Sequence, residues 1–244
     1  MDSIQSFFKH SLSEKGISLS NTQMQLFEHY YQELVGWNEK INLTAITERK
    51  QVYMKHFYDS ISAAFFLNMD TISIAADIGS GAGFPGIPLK IVYPHLKLTI
   101  IDSLNKRIDF LRHIAVALNL QNIVFVHARA EEAGQLSKYR EAFDLVTARA
   151  VARMNVLNEL CLPFAKVGGY FLAMKGADPQ EEVIEAAFSM EVLKGELQGV
   201  HSLVLPEDEA KRHIIIIRKT DKTPRKFPRN PGTPAKNPLI EERF

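Results

Sequence analysis

A single cysteine, Cys161, is all the thiol chemistry this 244-residue chain offers. That excludes an intramolecular disulfide and any zinc site built from four cysteines, and it suits a reducing cytoplasm. No apolar run approaches the roughly 20 residues that a membrane span needs, so no membrane partner is expected. The start, Met1-Asp2-Ser3-Ile4-Gln5, lacks the basic leader and apolar stretch of a signal peptide. No internal repeat is visible, and no metal ligand set is expected.

The composition is that of an ordinary globular protein, 46% hydrophobic and 23% charged. It is long enough for one large α/β domain with a small extension. The net charge of +1 conceals an asymmetry. From Lys211 onward there are ten Lys/Arg against three Asp/Glu, a net of +7; the residues before it hold 19 basic and 25 acidic groups, a net of −6. A cationic tail on a mildly acidic body points to local contact with a polyanion.

Residues 3–68 read as helical. Phe7, Phe8 and Leu12, then Met24, Phe27, Tyr31 and Leu34, recur at helical spacing, with Ser20-Asn21-Thr22 as a start signal. Glu48 to Asn68 is again expected to be helix. The texture changes at Thr71. Strands are expected at Ile72–Ile78, Leu96–Ile101, Ile123–Val126, Phe143–Thr147 and Tyr170–Met174. Helices are expected between them at Pro85–Tyr93, Lys106–Leu118, Ala130–Lys138 and Asn155–Leu162, with another at Pro179–Met190. Two last strands, Leu197–Leu205 and His213–Arg218, have no helix between them and should form an antiparallel hairpin at one edge. The alternation predicts an α/β fold: a mostly parallel seven-stranded sheet covered by helices on both faces. The expected organisation is a helical extension (1–68), a core (69–219) and a basic, proline-rich tail (220–244).

The sharpest local pattern is Asp77-Ile78-Gly79-Ser80-Gly81-Ala82-Gly83-Phe84-Pro85-Gly86, which follows the first strand and opens the first crossover helix. Glycines there let the backbone approach a ligand closely. Asp102 ends the second strand about 20 residues on, where a carboxylate accepts hydrogen bonds from ribose hydroxyls. Gly81 to Gly86 formally fits the dinucleotide pattern G-x-G-x-x-G. Two features argue against a pyrophosphate. Asp77 precedes the first glycine, where it would repel one and suits the ammonium of a methionine moiety. Pro85 removes an N–H donor from the helix start. The pattern D-x-G-x-G-x-G with an acid at the next strand end is the S-adenosylmethionine signature of the class I, Rossmann-like methyltransferase fold. Backbone N–H groups of Ala130 and Glu131, after the third strand, can read the adenine edge, or the segment is a helix start whose acids complement the dipole. Asp102-Ser103 also suits helix capping, which is compatible with ribose binding.

The chemistry is narrowed by what the fourth strand lacks. Asp144-Leu145-Val146-Thr147-Ala148-Arg149-Ala150 contains no Asn/Asp-Pro-Pro-aromatic segment of the kind carried by methylases of exocyclic amines. Cys161, on an apolar helix, reads as buried packing rather than the thiolate that cytosine C5 methylation requires. Guanine N7 needs neither device, because its in-plane lone pair carries no proton at neutral pH; no general base is expected. Arg149 is placed nearest the transfer, pairing with the methionine carboxylate or with guanine O6. His56 and Asp59, one helical turn apart, could pair and reach the cleft or serve at the surface.

These residues carry a resemblance. The chain resembles the bacterial ribosomal RNA small subunit methyltransferase G family, also called glucose-inhibited division protein B. The likeness runs through Trp37-Asn38, Asn42-Leu43-Thr44-Ala45-Ile46, His56 with Asp59-Ser60, and Asp77 to Pro88. It continues through Asp102-Ser103 with Lys106-Arg107, Phe143-Asp144, Thr147 to Ala152, Lys175-Gly176, and Thr223 to Arg229. It implies a helical cap before a class I core, S-adenosylmethionine as cofactor, and N7 methylation of a guanine in the decoding-region loop of 16S rRNA. It also implies cofactor positions at Gly79, Phe84, Ala130, Glu131 and Arg149. The partner would be 16S rRNA or the small ribosomal subunit, and a monomer is expected. In that light Lys222, Arg225, Lys226 and Arg229, spaced by prolines, read as a semi-extended strip for phosphate contacts, with cofactor affinity independent of it. Phe227 would stack on a base or dock on the protein. Two other readings compete: an NAD-dependent oxidoreductase on the same fold, and a non-catalytic RNA-binding or ribosome-assembly protein.

Overall fold

The computed structural model describes residues 1–176, 178–207 and 210–241, so positions 242–244 at the end of the expected tail lie outside the described residues. The chain starts with α1 (Ser3–Ser13), whose first turn is capped by the Asp2 carboxylate accepting from Gln5 N at 3.1 Å. Helix α2 (Asn21–Asn38) opens on a reciprocal capping box between Ser20 and Gln23, which satisfies two otherwise orphaned N–H groups. The expected helix from Glu48 is one helical path with a change of winding: α3 (Arg49–Gln51), a π-helical stretch Val52–Tyr58, then α4 (Asp59–Ser62) and a 3₁₀ turn, Ala63–Phe65.

Seven strands follow: β1 (Ile74–Ile78), β2 (Lys97–Asp102), β3 (Ile123–His127), β4 (Phe143–Arg149), β5 (Ala165–Lys175), β6 (Gly195–Val204) and β7 (Lys211–Lys219), in the order β3-β2-β1-β4-β5-β7-β6. Strands β1 to β5 pair in parallel, and β7 runs antiparallel between β5 and β6, which gives the expected edge hairpin. The crossovers carry α5 (Gly86–Val92), α6 (Asn105–Ala117), α7 (Ala130–Ala133), α8 (Met154–Cys161), α9 (Gln180–Glu185) and α10 (Ala187–Val192). A last short helix, α11 (Thr233–Lys236), lies in the tail.

The apolar runs in the strands are continuous because both faces are covered. Ile214, Ile216 and Leu145 join the core shared with α1, α2 and the π-helical stretch; Ile215, Ile217 and Val146 join the core beneath α8 and α10. Helix α7 is shorter than expected. Gly134 follows it, and a Cβ there would stand 3.0 Å from Pro228 of the tail. The expected Pro179–Met190 helix is likewise two short helices.

The tail is not the semi-extended strip that its sequence suggested. Phe227 is buried in the second core, so it docks on the protein. Arg140 donates to the carbonyls of Thr223 and Phe227 at 2.8 and 2.7 Å, and Gln135 donates to that of Pro228 at 2.6 Å. Buried Lys219 supplies a further anchor, donating to Thr223 Oγ1 and to the Leu162 and Leu193 carbonyls. Backbone polar groups of a segment laid on a core need partners, and these long side chains provide them. Among the described residues no helix is long and apolar enough to cross a membrane, and no group of three His, Cys, Asp or Glu could hold a metal ion.

Candidate active site

Between β1 and β4 the strand order reverses, so the crossovers leave on opposite faces and a crevice opens beyond the carboxyl ends of the strands. The glycine loop after β1 lies there. Gly79, Gly81 and Gly83 have φ of 69°, 62° and 101°, the left-handed region that side chains resist. Their surroundings differ. A Cβ at Gly83 would be 2.5 Å from the Tyr30 hydroxyl, whereas one at Gly81 would meet nothing within 4 Å. Gly83 is thus glycine for packing, and Gly81 for conformation beside open space.

Asp77 holds the loop from below. One carboxylate oxygen accepts from Ser80 Oγ at 2.6 Å and Gly86 N at 2.8 Å, and the other from Thr147 Oγ1 at 3.1 Å. The residue is fully buried, and burial pushes its carboxyl up to about 6 against the pull of these donors. The expectation that it faces a ligand ammonium is corrected: its oxygens are turned inward and spent on the loop. From the other side Tyr30 of α2 donates to the Ala82 carbonyl. Phe84 packs between Tyr30, His56, with rings stacked at 4.6 Å, and the Arg149 guanidinium, 4.8 Å from its centroid. Its side chain is a joint between the loop and the end of β4.

Two cavities lie near this loop, one lined by its Gly79 and one by His56 and Arg149, on which Phe84 packs. The first, about 230 Å³, is lined by Gly79, Asp102, Ser103, Ala130 and Glu131, and also by Val151, Ala152, Val156 and two tail residues, Gly232 and Ala235. Each oxygen of Asp102 accepts one backbone N–H, from Leu104 at 2.9 Å and Gly81 at 3.0 Å, which leaves further lone pairs. Ser103 is exposed at the rim. The Glu131 carboxylate accepts from Gly232 N at 2.9 Å, and Arg229 pairs with Glu159 of α8 at 2.6 Å, where the Glu159 side chain is fully buried. Arg229 is therefore not a free phosphate contact; it fastens the tail beside the cavity. Lys222, Arg225 and Lys226 are exposed. An open glycine bend beside an acid with spare lone pairs, next to two helix-start N–H groups, fits a nucleoside. The residues present therefore suit an adenosine-type cofactor.

The second cavity, about 360 Å³, is lined by His56, Asp59, Arg149, Lys175, Arg212 and His213, among others. Arg149 belongs to this cavity's lining rather than to the first. Arg149 and Arg212 both approach one oxygen of Asp59, at 3.1 and 3.4 Å. The anticipated His56–Asp59 pair is absent. His56 meets Thr44 Oγ1 at 2.8 Å instead, because π winding spreads residues three apart around the axis and the two arginines claim Asp59. Burial, then the positive charges of Arg149 and Arg212, push His56 down to about 3. Cys161 is buried, and its thiol is pushed well up by burial. Sequence reasoning missed Arg212, His213 and the tail's part in the first cavity. The only visible signals were a basic start to an apolar strand and an acid, Glu159, inside an apolar helix.

A model of the family described as rRNA small subunit methyltransferase G matches residues 23–215. The chain is 57% identical over 232 residues to the Bacillus velezensis protein named ribosomal RNA small subunit methyltransferase G, covering 95% of this chain and 97% of that one. It is 54% identical over 235 residues to the protein of that name from Macrococcus caseolyticus, covering 96% and 98%. Among solved structures, a putative O-methyltransferase from Klebsiella pneumoniae superposes with a TM-score of 0.54 at 12% identity, over 86% of this chain and 96% of that one, which speaks to the class I methyltransferase fold alone. With sequence, motif and fold in agreement, the chain belongs to the rRNA small subunit methyltransferase G family.

Proposed function

We propose that this enzyme methylates N7 of a guanine in the decoding-region loop of 16S rRNA, working as a cytoplasmic monomer on the rRNA or the small subunit. S-adenosylmethionine supplies the methyl group as an activated sulfonium. The observation that carries the reading is a cavity lined by Gly79, Asp102, Ala130 and Glu131 together with a cationic cavity lined by His56 and Arg149, the two residues on which Phe84 of the glycine loop packs. Family membership sets aside both the dinucleotide oxidoreductase and the non-catalytic alternative.

In this reading Asp102 holds the ribose hydroxyls, Ala130 and Glu131 offer backbone N–H groups to the adenine, and Gly79 and Gly81 shape the backbone around the cofactor. Arg149 serves the base side, by donation to O6. The transfer forms a bond between N7 and the methyl carbon and breaks the carbon–sulfur bond, leaving a cationic base; no proton departs. The residues available suit that balance. His56 is held so far below its ordinary range that it is a feeble base, and Cys161 is sealed from the cleft. The protein's work is then alignment and exclusion of water. The exposed Lys222, Arg225 and Lys226 remain available for phosphates.

The test is to incubate labelled S-adenosylmethionine with rRNA and particles from an unmethylated strain. The label should map to one guanine whose strand is cut by borohydride and aniline. Label on another atom or base would overturn the reading.

A further inference from the structure

Among the described residues, four buried side-chain atoms lack a hydrogen-bond partner, and two of them, Asp59 Oδ1 and His213 Nδ1, belong to residues lining the cationic cavity. Buried polar atoms are almost always paired, so two orphans among the residues lining one cavity are a sign of a partner yet to arrive. Asp59 is only 4% exposed. Its other oxygen is doubly occupied by Arg149 and Arg212, while Oδ1 accepts nothing. A cavity rich in cations would be expected to receive only acceptors. The lining of this one also includes a carboxylate with an unpaired oxygen just beneath the surface, and with it a demand for donors.

We propose that Asp59 is the residue that selects the base: its carboxylate accepts from N1–H and the N2 amino group of the target guanine while Arg149 donates to O6. This rests on the guanine reading above and names how that site recognises its substrate. Guanine is the only common base with two adjacent donors beside a carbonyl, which matches an acid set against a guanidinium. Adenine reverses both polarities, turning an unprotonated N1 toward the carboxylate and an amino group toward the arginine. Its mismatch leaves buried polar groups unpaired, the costliest outcome. The arrangement also bears on rate. Methylation at N7 places positive charge on the ring, which strengthens N1–H as a donor, so the Asp59 contact tightens as the bond to carbon forms.

The test uses the full-length protein saturated with S-adenosylhomocysteine, which blocks the first cavity, and measures nucleotide binding by calorimetry. Guanosine 5′-monophosphate should bind at least tenfold more tightly than adenosine 5′-monophosphate, and N7-methylguanosine 5′-monophosphate more tightly than either. Asp59→Asn should lower the guanine-to-adenine ratio at least tenfold, because its amide can donate to adenine N1. A residue that merely held the two arginines would weaken both nucleotides equally and leave the ratio unchanged, which would overturn the assignment. Absence of any guanosine monophosphate binding at millimolar concentration would overturn it too. Should Asp59→Asn fail to fold, the wild type decides: N1-methylguanosine 5′-monophosphate must bind at least tenfold more weakly than its parent, and equal binding refutes the proposal. Methyl mapped to guanine N7 alongside an unmoved ratio would sink the Asp59 assignment alone. Methyl mapped elsewhere would sink the functional reading first.

Discussion

The two cavities beside the glycine loop are built on opposite terms. In the first, the acids are already held in place, Asp102 by the N–H groups of Leu104 and Gly81, which leave it lone pairs to spare, Glu131 by Gly232, and nearby Glu159 by Arg229. In the second, two arginines crowd one carboxylate oxygen while its twin and His213 Nδ1 go without. A preformed pocket loses little order when a small ligand enters. A pocket with unmet valences is unstable by itself and gains most when an exact donor set fills it. In the reading proposed above, the difference would suit a cofactor that must bind repeatedly and a base that must be chosen once.

The contrast can be broken most forcefully from the preformed side. Arg229→Ala strands a fully buried carboxylate, so unfolding in urea should show a loss of about 3–5 kcal/mol, with cofactor affinity falling as Gly232 of the tail lifts from Glu131. Unchanged affinity in a folded variant, or in a chain cut before Thr220, would return the tail to the independent role that its sequence suggested. Asp102→Ala should cost roughly 1.5–3 kcal/mol of cofactor affinity by calorimetry, the scale of hydrogen bonds to a charged group. Tyr30→Phe keeps the ring stacked on Phe57 but frees the Ala82 carbonyl. It should lose about 1 kcal/mol and lower Tm by roughly 2–4 °C.

A last effect concerns protons and is read near neutral pH, where it is small. His56 is lowered from 6.5 to about 3, so the folded state resists a proton that the unfolded chain accepts. Its contribution is present above 6.5 and is lost as pH falls toward 3. Asp77 runs the other way: raised from 3.8 to about 6, its contribution is present below 3.8 and lost as pH rises to about 6. His56→Gln should therefore flatten the acid limb of stability against pH. Single-turnover methyl transfer should meanwhile plateau above about pH 6, since no group of ordinary basicity must first give up a proton. A rate that climbs log-linearly toward alkaline pH would contradict the proton balance.

Much of this is visible in the sequence alone. The sheet announced itself because β1 to β5 are apolar runs punctuated by glycines and amphipathic helices, and that pattern depends on neighbours along the chain. The first cavity was legible for the same reason: Gly79 follows a strand end, Asp102 ends a strand, and Ala130 and Glu131 begin a helix. What escaped was decided across distance. Arg229 meets Glu159, 70 residues away, and Arg140 meets Thr223, 83 away. Nothing local distinguishes such a tail from a solvated one. Asp77 was read as facing outward because its spacing was right, but spacing does not reveal which way a carboxylate turns. The His56–Asp59 pair assumed α winding where the helix is π.

The Glu131–Gly232 bond joins residues 101 positions apart, across the whole of β4 to β7. At a synthesis rate of about 5–20 residues per second, one side of the first pocket waits roughly 5–20 s for the other to be made. The sheet can assemble in that interval, but its ligand-binding edge stays unwalled until the tail follows. In the reading proposed above, the order of translation would make cofactor capture a late event, and chains interrupted before Gly232 would carry the fold's outline with that cavity unclosed.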